Sequence, residues 1–247
     1  MPVDITPVIA PNALKILEKR YLWTKSDGTL ETPKEMFWRV AAKVASAEAV
    51  FGSPDLANVF EQVFMEMMCS LRFMPNTPTL TNAGREKGQL AACYVLPISD
   101  SMEGIMDCLK AQAMVQKSGG GTGFSYGSIR ERDSLIRSTG KRAVGPIPVI
   151  KLKNYMMSEF IIQGGTRNGA NMGTLPIDHP DIEEFITFKK EDKSCVSFNI
   201  SPTVSDAFMK AVRADGDWDL ISRVDGSVKK TLKARTLFDK ICRNAWE

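Results

Sequence analysis

The stretch Asn-Thr-Pro-Thr-Leu-Thr-Asn-Ala-Gly at 76–84, with Leu-Ala-Ala-Cys-Tyr-Val-Leu-Pro-Ile-Ser-Asp at 90–100, decides how the chain is read. From Asn76 to Thr81, small hydroxyl and amide side chains surround Pro78, whose ring fixes backbone direction. The segment reads as a polar turn with donors free to meet an anion such as phosphate. Leu90 to Ile98 is a short apolar run with β-branched and aromatic members, bounded by Gly88 and by Pro97 to Asp100, so it reads as a buried strand. Cys93 lies inside it. On the residues alone Cys93 reads as a small buried hydrophobe, the commoner fate of a strand cysteine, ahead of any chemical role.

Before this stretch the chain is helical. Asn12 is placed to cap a helix from Ala13 to about Tyr21. Thr32 caps the next, with Pro33 at the first helical position and Glu35 one position short of an ideal capping box. Met36, Phe37, Val40, Ala41, Val44 and Ala47 form an apolar stripe. A second stripe, Val59, Phe60, Val63, Phe64, Met67, Met68 and Leu71, defines another helix after the break at Gly52–Pro54. Both stripes are read as core.

After it, helices and strands alternate. Ser101 or Asp100 caps a helix from Met102 to Gln116, ended by Lys117-Ser-Gly-Gly-Gly-Thr-Gly123. The triple glycine permits positive φ and close approach to a ligand, yet it follows a helix and lacks the Gly-Lys-Ser/Thr ending of a P-loop. Phe124 to Ile129 is a strand ending at Arg130, and Arg132 to Val144 a long surface loop. A helix from Ile150 to Ile162 runs into a second glycine-rich element, Gln163 to Asn171. There Arg167, among Gln163, Asn168 and Asn171, offers donors and acceptors that read a base edge or grip a phosphate. A strand over Met172–Ile177, a helix Ile182–Lys190 capped by Asp181, and a half-buried strand Ser194–Ser201 closed by Pro202 follow. His179 reads as a loop hydrogen-bonder. Ser205 and Asp206 cap a helix Ala207–Val212, Asp215–Lys230 is a charged hairpin, and Ala234–Trp246 is the last helix.

Composition narrows the class. The 247 residues are 43% hydrophobic, and 32 basic against 29 acidic residues give a net charge of +3 with no basic field for nucleic acid. No apolar run approaches the roughly 20 residues of a membrane span, and the first residues lack a signal-peptide core, so a cytoplasmic location is expected. The cysteines at 69, 93, 108, 195 and 242 form no CxxC pair or disulfide framework, and a single histidine, His179, makes a closed zinc site improbable.

Taken together, Pro-Asn-Thr-Pro-Thr-Leu-Thr-Asn-Ala-Gly (75–84), Ala-Cys-Tyr-Val-Leu (92–96), Lys-Ser-Gly-Gly-Gly-Thr-Gly-Phe-Ser (117–125), Gln-Gly-Gly-Thr-Arg-Asn-Gly-Ala-Asn-Met (163–172) and Asp-His-Pro-Asp-Ile (178–182) resemble the large catalytic chain of ribonucleotide reductase. The resemblance is greatest to the adenosylcobalamin-dependent class II form, which Pro-Asn-Ala-Leu-Lys-Ile-Leu-Glu-Lys-Arg-Tyr-Leu (11–22) and Glu-Thr-Pro-Lys-Glu-Met-Phe (31–37) share. It implies an α/β fold: a helical N-terminal domain over 1–72, then the first half of the family's ten-stranded α/β barrel over 73–247.

By position, the resemblance makes Cys93 the first redox cysteine, one half of a dithiol oxidised in each turnover, which reverses the reading of Cys93 as packing. Thr77 and the backbone around Ala92 match the substrate-phosphate site. Asp100, Lys117 and Arg130 match the deoxynucleoside triphosphate effector site. The loop 132–144 matches the first specificity loop, and 163–172 the second, with Arg167 reading substrate. Effector and substrate would thus be coupled through a glycine-rich segment.

The radical cysteine, normally in an Asn-Pro-Cys-Gly-Glu type loop, has no counterpart here. The second redox cysteine, most of the cobalamin surface and the reducing tail are expected beyond Glu247. Cys195 and Cys242 read as packing residues. The implied partners are a ribonucleotide, a thioredoxin-like reductant, the missing C-terminal half or a complementing chain, and a second copy in a homodimer. A noncatalytic deoxynucleotide-binding module and a class I large-subunit fragment are the alternatives.

Overall fold

The computed structural model describes residues 5–86, 88–161, 170–191 and 195–246. They fall in two compact units, Met1–Ala92 and Cys93–Glu247. The division comes later than residue 72, because the 76–84 segment packs with the helices before it. Most of the second glycine-rich element, including Gln163 and Arg167, lies outside the described residues.

The first unit is helical: α1 (Pro11–Arg20), α2 (Pro33–Ala45), the single turn α3 (Glu48–Phe51), α4 (Pro54–Cys69) and α5 (Thr77–Asn82). Asn12 does not cap α1; Ala10 does so without a side-chain bond, because Pro11 already occupies the first helical position. At α2 the capping box is complete. Thr32 Oγ1 accepts from Glu35 N at 3.2 Å, and Glu35 Oε2 accepts from Thr32 N at 2.6 Å, so Glu35 stands at the ideal capping-box position rather than one short of it. Met36, Phe37, Val40 and Ala41 of α2 pack on Met65, Met68 and Cys69 of α4, with Leu80 and Ala83 closing the cluster. Val44, Val59 and Val63, also on the expected stripes, are exposed. The polar turn expected at 76–81 is a helical turn, α5, because Asn76 Oδ1 accepts from Thr79 N at 3.0 Å and starts it.

The second unit is built on a four-stranded parallel sheet in the order β1 (Cys93–Val95), β2 (Gly121–Ser125), β5 (Asn171–Pro176), β6 (Phe198–Thr203). The crossover helix α6 (Met102–Lys117) joins β1 to β2. Between β2 and β5 come a small hairpin, β3 (Leu135–Ile136) with β4 (Lys141–Arg142), and then α7 (Pro146–Tyr155), which ends in a π-helical turn at Met156–Phe160. Helix α8 (Ile182–Glu191) joins β5 to β6. Helix α9 (Asp206–Arg213), the hairpin β7 (Asp217–Ile221) with β8 (Val228–Lys233), and α10 (Ala234–Trp246) complete the unit.

Its core gathers Phe124, Tyr126, Leu175, Phe185 and Phe198 with residues of α7, α9 and α10. Sequential strands lie side by side through helical crossovers, the βαβ pattern of a parallel sheet.

Several strand expectations need correction. The run 90–98 yields a strand of only Cys93–Val95, at the edge of the sheet, with Cys93 and Val95 exposed rather than buried. The glycines 121 and 123 lie inside β2 instead of in a loop after α6. Pro202 does not close β6 but pairs within it opposite Leu175; β6 is an edge strand, where a missing N–H is tolerated. The surface loop 132–144 carries the β3–β4 hairpin.

Candidate functional site

In the first unit the candidate residue Thr77 is the first residue of α5, and that short helix is held at both ends by side chains from elsewhere in the unit. Arg39 on α2 donates from Nη1 to Ala83 O (2.7 Å) and from Nη2 to Leu80 O (3.1 Å). Trp23 Nε1 donates to Thr81 O at 2.8 Å. The Arg39 guanidinium stacks 3.7 Å from the Trp23 ring centroid and is gripped by Glu31, at 2.6 and 3.1 Å. Gly84, at φ 90°, completes the fit: a Cβ there would lie 3.1 Å from Arg39 Cγ. These bonds take the carbonyls a short helix leaves bare at its end.

At the other end, Tyr21 OH lies 3.1 Å from Thr77 Oγ1. Asn82 Nδ2 donates to Gln89 O at 2.9 Å, and the Thr79 hydroxyl lies 3.1 Å from Leu90 O, so the segment leading to Ala92 is tied to the same helix. Nothing in the sequence pattern pointed to Tyr21 or Arg39, since their partners on α5 are 41 to 56 positions away, and Glu31 enters only through Arg39.

In the second unit Cys93 opens β1, opposite Gly121 of β2, with its side chain exposed. Cys195 is buried, in line with its reading as a packing residue, and so are Cys69 and Cys108; Cys242 is exposed, against the expectation, because it lies off the buried face of α10.

Asp100 and Arg130 meet directly. Arg130 donates from Nε to Asp100 Oδ2 at 2.6 Å and from its backbone N to Oδ1 at 3.2 Å. They line a cavity of about 510 Å³ with Ile136, Arg137, Ser138 and Arg223. Three guanidinium-bearing residues around one carboxylate suit an anion that also carries hydroxyl groups. Arg137 belongs to the β3–β4 hairpin, which places the expected first specificity loop at this cavity. Arg223, from the β7–β8 turn, was not foreseen; it donates to Asp178 at 2.5 Å from Nη2.

Lys117 is not part of this group. Asp100 precedes the N-cap of α6 and Lys117 ends it, and 16 residues at about 1.5 Å per residue separate them by roughly 24 Å.

His179 is buried. Its Nδ1 accepts from Asp181 N at 3.0 Å, so Nε2 carries the proton toward Ile129 O at 2.9 Å, and burial holds its pKa below the usual imidazole value. Both ring nitrogens are committed to backbone. Glu131, also buried, accepts from Ser222 Oγ (2.6 Å) and Arg223 N (2.9 Å). Burial pushes its pKa up, but these bonds outweigh it and hold the carboxyl below its ordinary value.

A polar cluster lies behind β2 and β5. The amides of Gln112 and Gln116 and the Thr122 hydroxyl converge on Asn171 Oδ1, at 3.1, 2.6 and 2.7 Å. Lys153, fully buried, sits 3.1 Å from Cys108 Sγ and 4.1 Å from the Phe124 ring centroid; burial lowers its pKa. Among the described residues no group of three or more metal-ligating side chains comes together, and no helix is long and apolar enough to cross a membrane.

This construction matches known families along both units. Residues 91–247 match the family model of the ribonucleotide reductase barrel domain, and 9–88 that of the ribonucleotide reductase all-alpha domain. The chain belongs to the ribonucleotide reductase large-chain family.

Among its relatives are the vitamin B12-dependent ribonucleoside-diphosphate reductases of Thermoplasma acidophilum and Mycobacterium tuberculosis, each 37% identical over 96% and 94% of this chain. The ribonucleoside-diphosphate reductase subunit alpha of Chlamydia trachomatis is 32% identical over 85% of it. The chain spans 38% and 34% of the length of the first two.

Proposed function

We propose that this chain provides the first part of a vitamin B12-dependent reductase that converts ribonucleotides to 2′-deoxyribonucleotides for DNA synthesis. The observation that carries the reading is the exposed thiol of Cys93 at the first position of β1, directly after the segment tied to the Thr77 helix. A thiol that gives electrons to a substrate and is then re-reduced has to be reachable from outside.

In this reading Thr77 and the Ala92 backbone hold substrate phosphate, and Arg167 reads the substrate. Cys93 and a second thiol each give up one hydrogen: one joins the 2′-hydroxyl as its C–O bond breaks and water leaves, the other forms the new C2′–H bond, the two sulfurs join, and a thioredoxin-like reductant reopens the disulfide. Adenosylcobalamin would start the radical chemistry. Cavities of about 500 and 510 Å³ in the second unit are smaller than a corrin with its nucleotide tail, so neither is by itself the cofactor's site.

Asp100 and Arg130 would hold the deoxynucleoside triphosphate effector, the carboxylate on ribose hydroxyl and the guanidinium on phosphate. Lys117 serves the same nucleotide only from a second copy, given its distance along α6, which agrees with a homodimer. The remaining barrel strands, the radical cysteine and the second redox cysteine would come from a C-terminal half or from a complementing chain, and the longer protein is this chain together with that part.

The test is deoxyribonucleotide formation from ribonucleoside diphosphates by the longer protein, with adenosylcobalamin and a thioredoxin system. Cys93→Ser is expected to abolish steady turnover, and turnover retained by this variant refutes the role of Cys93. A second reading, a deoxynucleotide-binding module without catalysis, rests on the Asp100–Arg130 cavity being complete within one unit. It predicts deoxynucleoside triphosphate binding with no turnover under any of these conditions.

A further inference from the structure

Around Thr77, backbone and side chains are fixed by bonds from three directions, which leaves one rotor. Asn76 caps α5, Arg39 and Trp23 hold the carbonyls at its other end, and the Thr81 hydroxyl bonds Thr77 O at 2.9 Å. The group left to turn is the Thr77 hydroxyl itself, and Tyr21 OH stands 3.1 Å from it, across 56 residues of sequence.

We infer that Tyr21 is a positioning residue that aims the Thr77 hydroxyl proton at a bound phosphate. The inference rests on the reading of Thr77 as a substrate-phosphate residue. A threonine hydroxyl has one proton and two acceptor lone pairs, whereas an ionised phosphate oxygen only accepts. A Thr77 hydroxyl that bonds phosphate therefore gives its proton to the phosphate. Its bond with Tyr21 is then made in one sense only, with the phenol donating to Thr77 Oγ1.

That bond has two effects. It keeps the Thr77 proton from pointing at Tyr21, and it strengthens Thr77 as a donor, because a hydroxyl that accepts one hydrogen bond donates a better one. Tyr21 is well placed to do this without cost. It caps the end of α1, its backbone N bonds Leu17 O at 2.8 Å, and its ring packs on the apolar cluster of the first unit. The anchored ring holds the hydroxyl in place, as a preorganised donor requires.

The experiment is a double-mutant cycle in the longer protein, with steady-state kinetics on a ribonucleoside diphosphate. Tyr21→Phe keeps the ring and its packing and removes only the hydroxyl. It is expected to raise KM about fivefold, the effect of roughly 1 kcal/mol of hydrogen bonding, and to leave kcat within about twofold. Thr77→Val should raise KM about tenfold or more, and adding Tyr21→Phe to it should change nothing further. Thr77→Ser, which keeps the hydroxyl, should retain KM and remain sensitive to Tyr21→Phe.

If Thr77→Val raises KM and Tyr21→Phe does not, the inference is overturned and the reading of Thr77 stands. If Thr77→Val leaves KM unchanged, the reading of Thr77 itself fails. If Tyr21→Phe weakens both the wild type and Thr77→Val equally, Tyr21 acts on the fold and not through Thr77, and the inference is overturned.

Discussion

Arg39→Ala is the perturbation whose size the structure lets us work out. The side chain is 13% exposed and its partner Glu31 is 7% exposed, so the ion pair is largely out of water. Truncation leaves the Glu31 carboxylate with the Trp23 backbone N–H, 3.0 Å away, as its remaining bonded donor among the described residues. Breaking a buried pair from one side costs about 3–5 kcal/mol, because the charge left behind is neither solvated nor paired. Leu80 O and Ala83 O also lose their donors, at about 1 kcal/mol each where water does not replace them. Partial exposure of Arg39 lets water reach the two carbonyls and removes most of their share, so about 3–5 kcal/mol is expected.

Arg39→Lys keeps the charge but loses the planar fork that reaches Glu31, Leu80 O and Ala83 O together, and should cost about 1–2 kcal/mol. Removing Glu31 as well takes away the orphaned charge. Glu31→Ala with Arg39→Ala should therefore be less destabilising than the sum of the singles by about 2 kcal/mol. The assay is amide hydrogen exchange of peptides spanning 77–90. There, loss of about 3 kcal/mol appears as roughly a hundredfold faster exchange at the Ala83 and Arg85 amides, which bond Thr79 O and Asn82 O. Exchange accelerated less than about fivefold, or single effects that simply add, would refute the view that Arg39 and Glu31 fasten α5.

Lys153→Met should stabilise the second unit by about 1–2 kcal/mol in urea unfolding at pH 7.5, since a buried amine whose neighbours among the described residues are a sulfur, an amide and a ring is replaced by an apolar chain of similar length. The lysine's folded pKa is depressed, so the unfolded chain binds the extra proton. Wild-type stability then rises as pH climbs toward 10.5, and the Met variant should lack that part of the rise. Glu131→Gln replaces two charge-assisted bonds to the 222–223 turn by neutral ones and should cost about 1–2 kcal/mol at pH 7. The deficit should fade as pH falls below about 4.5, because the folded pKa of Glu131 is depressed and its contribution is lost through that range.

The elements that follow a strong local rule were legible in the sequence. The last helix, Ala234–Trp246, and the hairpin before it stand where turn glycines and apolar spacing put them, and Ser101 and Ser205 each cap a helix through their own side chain. What failed did so where local pattern competes with partners far along the chain. The 76–81 segment has turn composition, yet Asn76 starts a helix whose end is satisfied by Arg39 and Trp23 from other parts of the fold. The glycines after α6 looked like a loop because glycine is poor in strands, but Gly121 is drawn into β2 by parallel pairing with β1, and Gly123 by pairing with both β1 and β5. The cavity at Asp100 was half legible: Arg130 was named, while Arg137 and Arg223 reach it from two hairpins that no motif links.

Apolar periodicity states which face a segment is able to bury; it does not state what buries it. The run 90–98 has the unbroken apolar character of a strand covered on both faces, which is usual in parallel sheets. Yet β1 is an edge strand with Val95 87% exposed, and β6, at the other edge, is also paired on one side only among the described residues. The relatives are about three times longer, and their family places this segment in a barrel domain. A sheet that is to close on itself needs apolar strands at the edges where closure happens, since those edges become interior. The excess of apolar character at β1 is thus intelligible as a strand written for a neighbour.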